Sequence, residues 1–299
     1  MKSGQLFWGF LLLCVGALFL LVKYDVIVSD FGFVWDIWPL IFVLWGAMVI
    51  LKHQYIRPVI SALFGLFLGL MIFGIFYNIF SGVDWSSHDK GSKYESYTQE
   101  YDPDVKRAEL DFKSGGGAFF IKGQTDQLID GESYGNLAGY DFSCDQTDST
   151  AYVDLRYENK HFNFFSGKLR NRIDISLNEN PVWRFRFDFG AAKANFDLSK
   201  YKVEYIKLNT GAANVALKLG DRYRTTNVDI DMGAAGLTLY IPEESGCRLD
   251  GDMVLMAKSL RGFSKEGSGY YQTDNYEYAG NKINVKIDGG VSSLDISRY

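Results

Sequence analysis

Positive charge is too scarce in this chain for a nucleic-acid binder. Lysine and arginine number 31 against 36 aspartates and glutamates, a formal net charge of −5. Residues before Asp84 contribute +1 (Lys2, Lys23, Lys52 and Arg57 against Asp25, Asp30 and Asp36), so the remainder carries −6. Binding to phosphates needs a basic face, which that remainder lacks. Metal ligands are equally sparse. The three histidines, His53, His88 and His161, have neither an i, i+4 partner nor a cysteine pair, so no metal site is expected. Cys144 and Cys247 are the cysteines outside the apolar segments; two buried free thiols are expected, although an outside location would permit a bridge. Gly115-Gly-Gly117 lacks the lysine and following helix of a phosphate loop. Gly131-Glu-Ser133-Tyr-Gly135 fits GxSxG formally, but its flanks read as turn and His161 is the only histidine after it. Asp141, Asp145, Asp148 and Asp154 lack the glycine and closing glutamate of a calcium loop and read as a solvated edge. No catalytic residue and no cofactor are expected.

Apolar length is what the chain does have. Hydrophobic residues make up 47% of it, and aromatic content excludes a disordered tail. Leu6–Val22, Phe31–Leu51 (interrupted only by Asp36) and Val59–Phe80 (with Ser61 and Asn78 as its polar residues) each approach the length of about 20 residues that crosses a bilayer. Core helices of a soluble protein seldom run so far with so few charges. The first run is followed by no small-x-small cleavage pattern, and Leu13 before Cys14 is not the small residue of a lipoprotein signal, so a retained helix is expected. Trp8 and Gly16 recur 30 residues later as Trp38 and Gly46, as two related hairpinned helices would. Lys52 and Arg57, with His53, place the second loop in the cytoplasm, and three crossings then carry everything after Phe80 outside. A re-entrant third run would keep it inside. Gly65 and Gly69 form GxxxG, which suits either self-association or packing within the bundle.

Beyond Val105 no segment shows a helical stripe. Ala108–Phe112, Ala151–Tyr157, Val182–Phe189, Val203–Leu208 and Lys282–Ile287 alternate apolar with polar as half-buried strands do. Within them a corner repeats: Gly190-Ala191-Ala192, Gly211-Ala212-Ala213 and Gly233-Ala234-Ala235, spaced by 21 and 22 residues, with degenerate copies at Gly115 and Gly290. Such spacing suits the turns of a β-solenoid, whose rungs lie about 4.8 Å apart. Glycine would permit positive φ at the bend, and alanines would not collide with the next rung. A β-sandwich with similar hairpin turns is the alternative. The expected architecture is a three-helix transmembrane bundle over 1–83, a polar linker over 84–104, and an all-β solenoid domain over 105–299.

The apolar run with internal glycine and the Trp38-Pro39-Leu40 start resemble the LiaI/LiaF-type transmembrane region. The glycine-alanine corners, Gly262-Phe263 and the terminal Ile287–Ile296 resemble the toast-rack, or cell-wall-active antibiotic response, domain. The resemblance implies a LiaF-like, non-enzymatic membrane protein of the bacterial envelope-stress response that modulates a partner such as a sensor histidine kinase. Tyr270, Tyr271, Tyr276 and Tyr278, set among serine, glycine and charge, would form either a contact surface or a cover over the last rung. A carbohydrate-active solenoid is the alternative function, disfavoured because Asp197, Asp229, Asp231 and Asp288 show no shared register in the sequence. A purely structural or adhesive surface protein is a third.

Overall fold

The computed structural model describes residues 3–23, 37, 39–50, 56–80, 93–135, 139–157, 171–233, 235–251, 257–266, 270–289 and 293–299. They fall into two compact units, one helical and one β-rich.

The helices are α1 (Ser3–Lys23), α2 (Leu40–Ile50) and α3 (Ile56–Phe80). At 1.5 Å per residue α1 and α3 extend about 32 and 38 Å, and both are long and apolar enough to cross a membrane. The second apolar run is described only from Ile37, and its helix of 11 residues covers about 17 Å, short of a full crossing. A Cβ on Gly65 would sit 2.4 Å from the Phe7 carbonyl oxygen, and one on Gly69 would sit 2.9 Å from that of Leu11. The GxxxG face therefore closes on α1 of the same bundle. Phe7 meets Phe64 at 5.4 Å and Phe19 meets Phe73 at 4.9 Å between ring centroids. These contacts ascend both helices together, so α1 and α3 are parallel neighbours.

The β-rich unit holds β1 (Lys93–Gln99), β2 (Arg107–Gln124), β3 (Ile129–Gly135), β4 (Tyr140–Thr147), β5 (Thr150–Tyr157), β6 (Asn171–Leu177), β7 (Val182–Asp197) and β8 (Lys202–Lys218). It continues with β9 (Thr225–Met232), β10 (Gly236–Ile241), β11 (Gly246–Asp250), β12 (Ala257–Leu260), β13 (Phe263–Glu266), β14 (Tyr270–Thr273), β15 (Lys282–Gly289) and β16 (Ser293–Arg298). β2, β7 and β8 are long strands with a bend in the middle. Each thereby has two arms, and neighbouring strands run parallel through both, in register apart from one bulge at Glu204 between β7 and β8. β9 continues the first arm and β10 the second, as do β15 and β16. Phe187, Phe189, Phe196, Leu208, Leu217, Ile230, Leu237 and Leu239 are all buried in one core.

The bend is visible in the burial phase of β7. Trp183, Phe185, Phe187 and Phe189 face inward, and then Ala192, Ala194 and Phe196 do, so the inward set shifts by one residue at Gly190-Ala191. On a flat strand that slip would turn the second half to solvent. Here the bend returns it to the interior, where Phe187 and Phe196 stack at 4.4 Å across the two arms. Four residues, 198–201, carry the chain from β7 to β8. Such a return spans at most about 17 Å, which holds the arms close enough to share one apolar layer.

Gly115, Gly190, Gly211 and Gly233 form a column at the bend. A Cβ on Gly190 would lie 2.4 Å from the Gly115 carbonyl oxygen, one on Gly211 2.8 Å from that of Gly190, and one on Gly233 2.6 Å from that of Gly211. None of these four has positive φ, which corrects the expected reason for glycine there. Close approach of backbones demands it instead. The alanines also divide: Ala192, Ala213 and Ala235 are buried, whereas Ala191 and Ala212 are half-exposed, so only the second position of the pair is confined by the core. Ala234 and Gly290 lie outside the described residues.

Two further expectations change. Lys93–Gln99, expected within a linker, is strand β1 paired antiparallel with β3, because Tyr97 packs inward while its polar neighbours face solvent. The rungs are also not stacked in chain order. β5 and β6 lie outside β2, so that β2 sits between them and β7; likewise β15 and β16 lie between β9/β10 and β11/β12. Both ends of the stack are thus closed by rungs from inside the sequence, with antiparallel strands β4, β3 and β1 beyond one end and β14 and β13 beyond the other.

The column predicts that Gly211→Ala destabilises the β unit by about 1–3 kcal/mol, whereas Gly115→Ala, whose Cβ would meet nothing within 4 Å, leaves the melting temperature unchanged. Equal effects in thermal unfolding would refute a steric column. In the helical unit, Gly69→Cys should form an oxidant-dependent intramolecular disulfide with Cys14, while Gly46→Cys, with open space around it, should not.

Candidate interaction surface

The tyrosines near the carboxyl end occupy three different environments. Tyr276 is 8% exposed, Tyr278 is 90% exposed, Tyr270 is half-buried and Tyr271 packs against the core. Arg248, pointing outward from β11, organises them: its guanidinium lies 5.0 Å from the Tyr270 ring and 4.4 Å from the Tyr276 ring. Lys282 Nζ also lies 5.0 Å from the centre of the Tyr276 ring. The Tyr276 hydroxyl donates to Asn284 Oδ1 at 2.7 Å, and Arg248 donates to Gln272 Oε1 at 3.3 Å. Tyr271 and Tyr276 are therefore packed into the end of the stack, Tyr270 is half-buried beside Arg248, and of the four only Tyr278 is fully exposed. Arg248 carries no signal in the sequence, since its ring partners lie more than twenty residues away.

The opposite end contains a buried polar network. Tyr97 hydroxyl meets Ser133 Oγ at 3.1 Å and accepts the Tyr140 amide at 3.1 Å. Tyr140 hydroxyl meets Ser114 Oγ at 2.9 Å and accepts from Asn171 Nδ2 at 2.6 Å. Burial pushes the phenols of Tyr97 and Tyr140 up, so both stay protonated. Ser133 is fully buried in β3, a strand and not the expected turn. A hydroxyl enclosed in an antiparallel pair cannot act as a nucleophile presented at an elbow.

The outer faces carry in-register rows of side chains. One row on the first arm reads Asp154, Asp111, Arg186, Lys207, Asp229, Lys286 and Asp250 across successive rungs. In the neighbouring row Asp231 and Asp288 stand directly opposite each other, which corrects the expectation that these acids share no register. Lys286 pairs with Asp288 at 3.0 Å on an open surface, without the enclosure a glycosidase requires. Asp141 and Asp145 on β4 are exposed, and among the described residues no group of three His, Cys, Asp or Glu is placed to hold a metal. His53, His88 and His161 lie outside the described residues.

Cys144 and Cys247 are free and belong to opposite ends of the stack, on β4 and β11. Seven inter-strand steps separate those strands, about 34 Å at 4.8 Å each, far beyond disulfide reach. Burial pushes the Cys247 thiol up to about 12, against a smaller opposing pull from Arg298. Both thiols should be alkylated fully after denaturation without reductant. In the native protein at pH 8, Cys144 should react roughly tenfold or more faster than Cys247; peptide mass mapping would detect a disulfide or equal rates, either of which contradicts this arrangement.

The LiaI-LiaF-like transmembrane region matches residues 6–50, and the N-terminal domain of toast_rack matches residues 87–240. Comparison with curated proteins gives no match. Among solved structures, a candidate cell adhesion protein from Clostridium sporogenes is 24% identical, with TM-score 0.65, covering 70% of this chain and 100% of its own. A candidate adhesin from Bacteroides fragilis is 11% identical over 70% of this chain and 98% of its own, with TM-score 0.22. The first of these shares the fold, and the second superposes too poorly to add to it. With a toast-rack match spanning more than half its length behind a LiaI-LiaF-like membrane region, the chain belongs to the toast-rack family.

Proposed function

We propose that the chain is a multi-pass, LiaF-like protein of the bacterial cytoplasmic membrane that serves the envelope-stress, or cell-wall antibiotic, response without catalysis, by contact with a membrane partner such as a sensor histidine kinase. The observation that carries this reading is the presence of a LiaI-LiaF-like membrane region and a toast-rack domain on one chain. The parallel packing of α1 and α3 supports three crossings, because two parallel spans require the chain to return between them. That count sets the amino terminus and the Lys52–Arg57 loop on one side, in keeping with their positive charge, and the β domain on the other.

The parallel, in-register rungs and bare corners support a β-solenoid whose end rungs are threaded out of order. Its amino-terminal boundary lies at β1, so the linker is shorter than 84–104. The corner residues act structurally, and contact falls to outward residues such as Tyr278.

Protease added to intact spheroplasts should release the β domain from the membrane, and protection of that domain would reverse the orientation. Cross-linking in native membranes followed by purification should recover a sensor kinase. Recovery of copies of this chain alone would favour a structural or adhesive assembly.

A further inference from the structure

Among the described residues β1 pairs only with β3, so one of its sides is a free sheet edge. The strand behind it fixes which backbone groups that edge presents. The Asn178 amide donates to the Leu128 carbonyl in the register that continues the ladder between β3 and β6, so even-numbered residues of β3 turn their N–H and C=O toward β6 and odd-numbered ones toward β1. The partners of the odd-numbered set, Lys93, Glu95, Tyr97 and Gln99, therefore point at β3. Tyr94, Ser96 and Thr98 turn their N–H and C=O outward, and these backbone groups have no hydrogen-bond partner among the described residues.

Free edges are ordinarily blunted by shortness, charge or proline. The other edges follow that rule. β12 and β13 have 4 residues each, and β4 carries the exposed Asp141 and Asp145, with its Tyr140 amide taken by the Tyr97 hydroxyl. β1 has 7 residues, no proline, and one charge of each sign, at Lys93 and Glu95.

We propose that this edge is a contact between two copies of the chain, joined β1 to β1, antiparallel, about a two-fold axis at Ser96. In that register Ser96 of each copy faces Ser96 of the other and Tyr94 of each faces Thr98 of the other. Every outward N–H and C=O of the three residues is then paired, which no other symmetric register of this strand achieves. No like charges stand opposite each other: Glu95 faces Tyr97 of the second copy, and the Tyr97 hydroxyl already donates to Glu95 of its own strand at 2.8 Å. The outer side chains are held in advance. The Tyr94 hydroxyl donates to Glu132 Oε1 at 2.9 Å and Thr98 Oγ1 donates to Asp130 Oδ1 at 3.0 Å, so an aromatic ring and a β-branched side chain meet across the join with little further ordering. One strand pair buries less than the roughly 1,200 Å² of a stable soluble complex; tethering both copies in one bilayer supplies the effective concentration that the contact needs. The contact stands on β1 alone and holds with or without a kinase partner.

Cysteine cross-linking of the full chain in native membranes tests it, with Cys14 and Cys144 replaced by alanine. Ser96→Cys places two thiols on the axis with Cα atoms about 5.5 Å apart, within disulfide range. Tyr94→Cys and Thr98→Cys each lie about 14 Å from their own counterpart. Mild oxidation should therefore give a Ser96→Cys dimer in roughly tenfold higher yield than either of the others alone, and co-expressed Tyr94→Cys and Thr98→Cys chains should link to each other. Ser96→Pro removes an N–H that β3 does not use; added to both of those chains it should abolish their link and leave thermal unfolding of the β domain unchanged. Equal yields at the three positions, no dimer from Ser96→Cys, or a link that survives Ser96→Pro would each overturn the pairing.

Discussion

Parallel backbones at ladder spacing that must all bend at the same height leave no space for a side chain at the bend. This constraint organises the β unit. Gly190, Gly211 and Gly233 each present their backbone to the carbonyl of the preceding glycine in the column, at distances that no Cβ could occupy. Once the bends are aligned, the inward residues of both arms are fixed by alternation, and the aromatic rings of β7 find the interior of the fold. The core therefore follows from the bends, and not the reverse: Phe185 or Leu208 could be exchanged for other apolar residues of similar volume, while Gly211 tolerates no substitution without moving a neighbouring strand.

The order of the rungs adds a second constraint. In a coil laid down strictly in sequence, the terminal rungs would be the outermost and would fray first. Here the first and last rungs are each covered by a neighbour from inside the chain, and antiparallel strands cover those in turn. Both exposed parallel edges are reduced by this arrangement, which limits the template for unwanted strand pairing.

Repetition makes much of this legible in the amino-acid sequence. The Gly-Ala-Ala spacing marks the bends, and alternation marks β5, β7, β8 and β15. What escapes has no periodic signal. β1 is a polar edge strand with one inward tyrosine, so its composition reads as linker. The segment around Ser133 is rich in glycine and reads as turn, yet pairing on both sides with β1 and β6 draws it into a strand. Register is likewise a property of pairing: Asp231 and Asp288 are 57 positions apart in sequence and adjacent in space only because β15 bypasses β11 to lie on β9. The Arg248 clamp depends on the same detour.

The detour has a consequence for biogenesis. β11 and β12 find their parallel partners only in β15 and β16, which follow them in the chain. As synthesis proceeds from the amino terminus, the rungs up to β10 can assemble in turn, but the growing polypeptide must hold residues 246–281 in reserve until Lys282–Arg298 have emerged and slipped into place. The carboxyl-proximal end of the domain is therefore completed late, and until then the nascent protein displays an unfinished β10 edge to whatever accompanies it at the membrane.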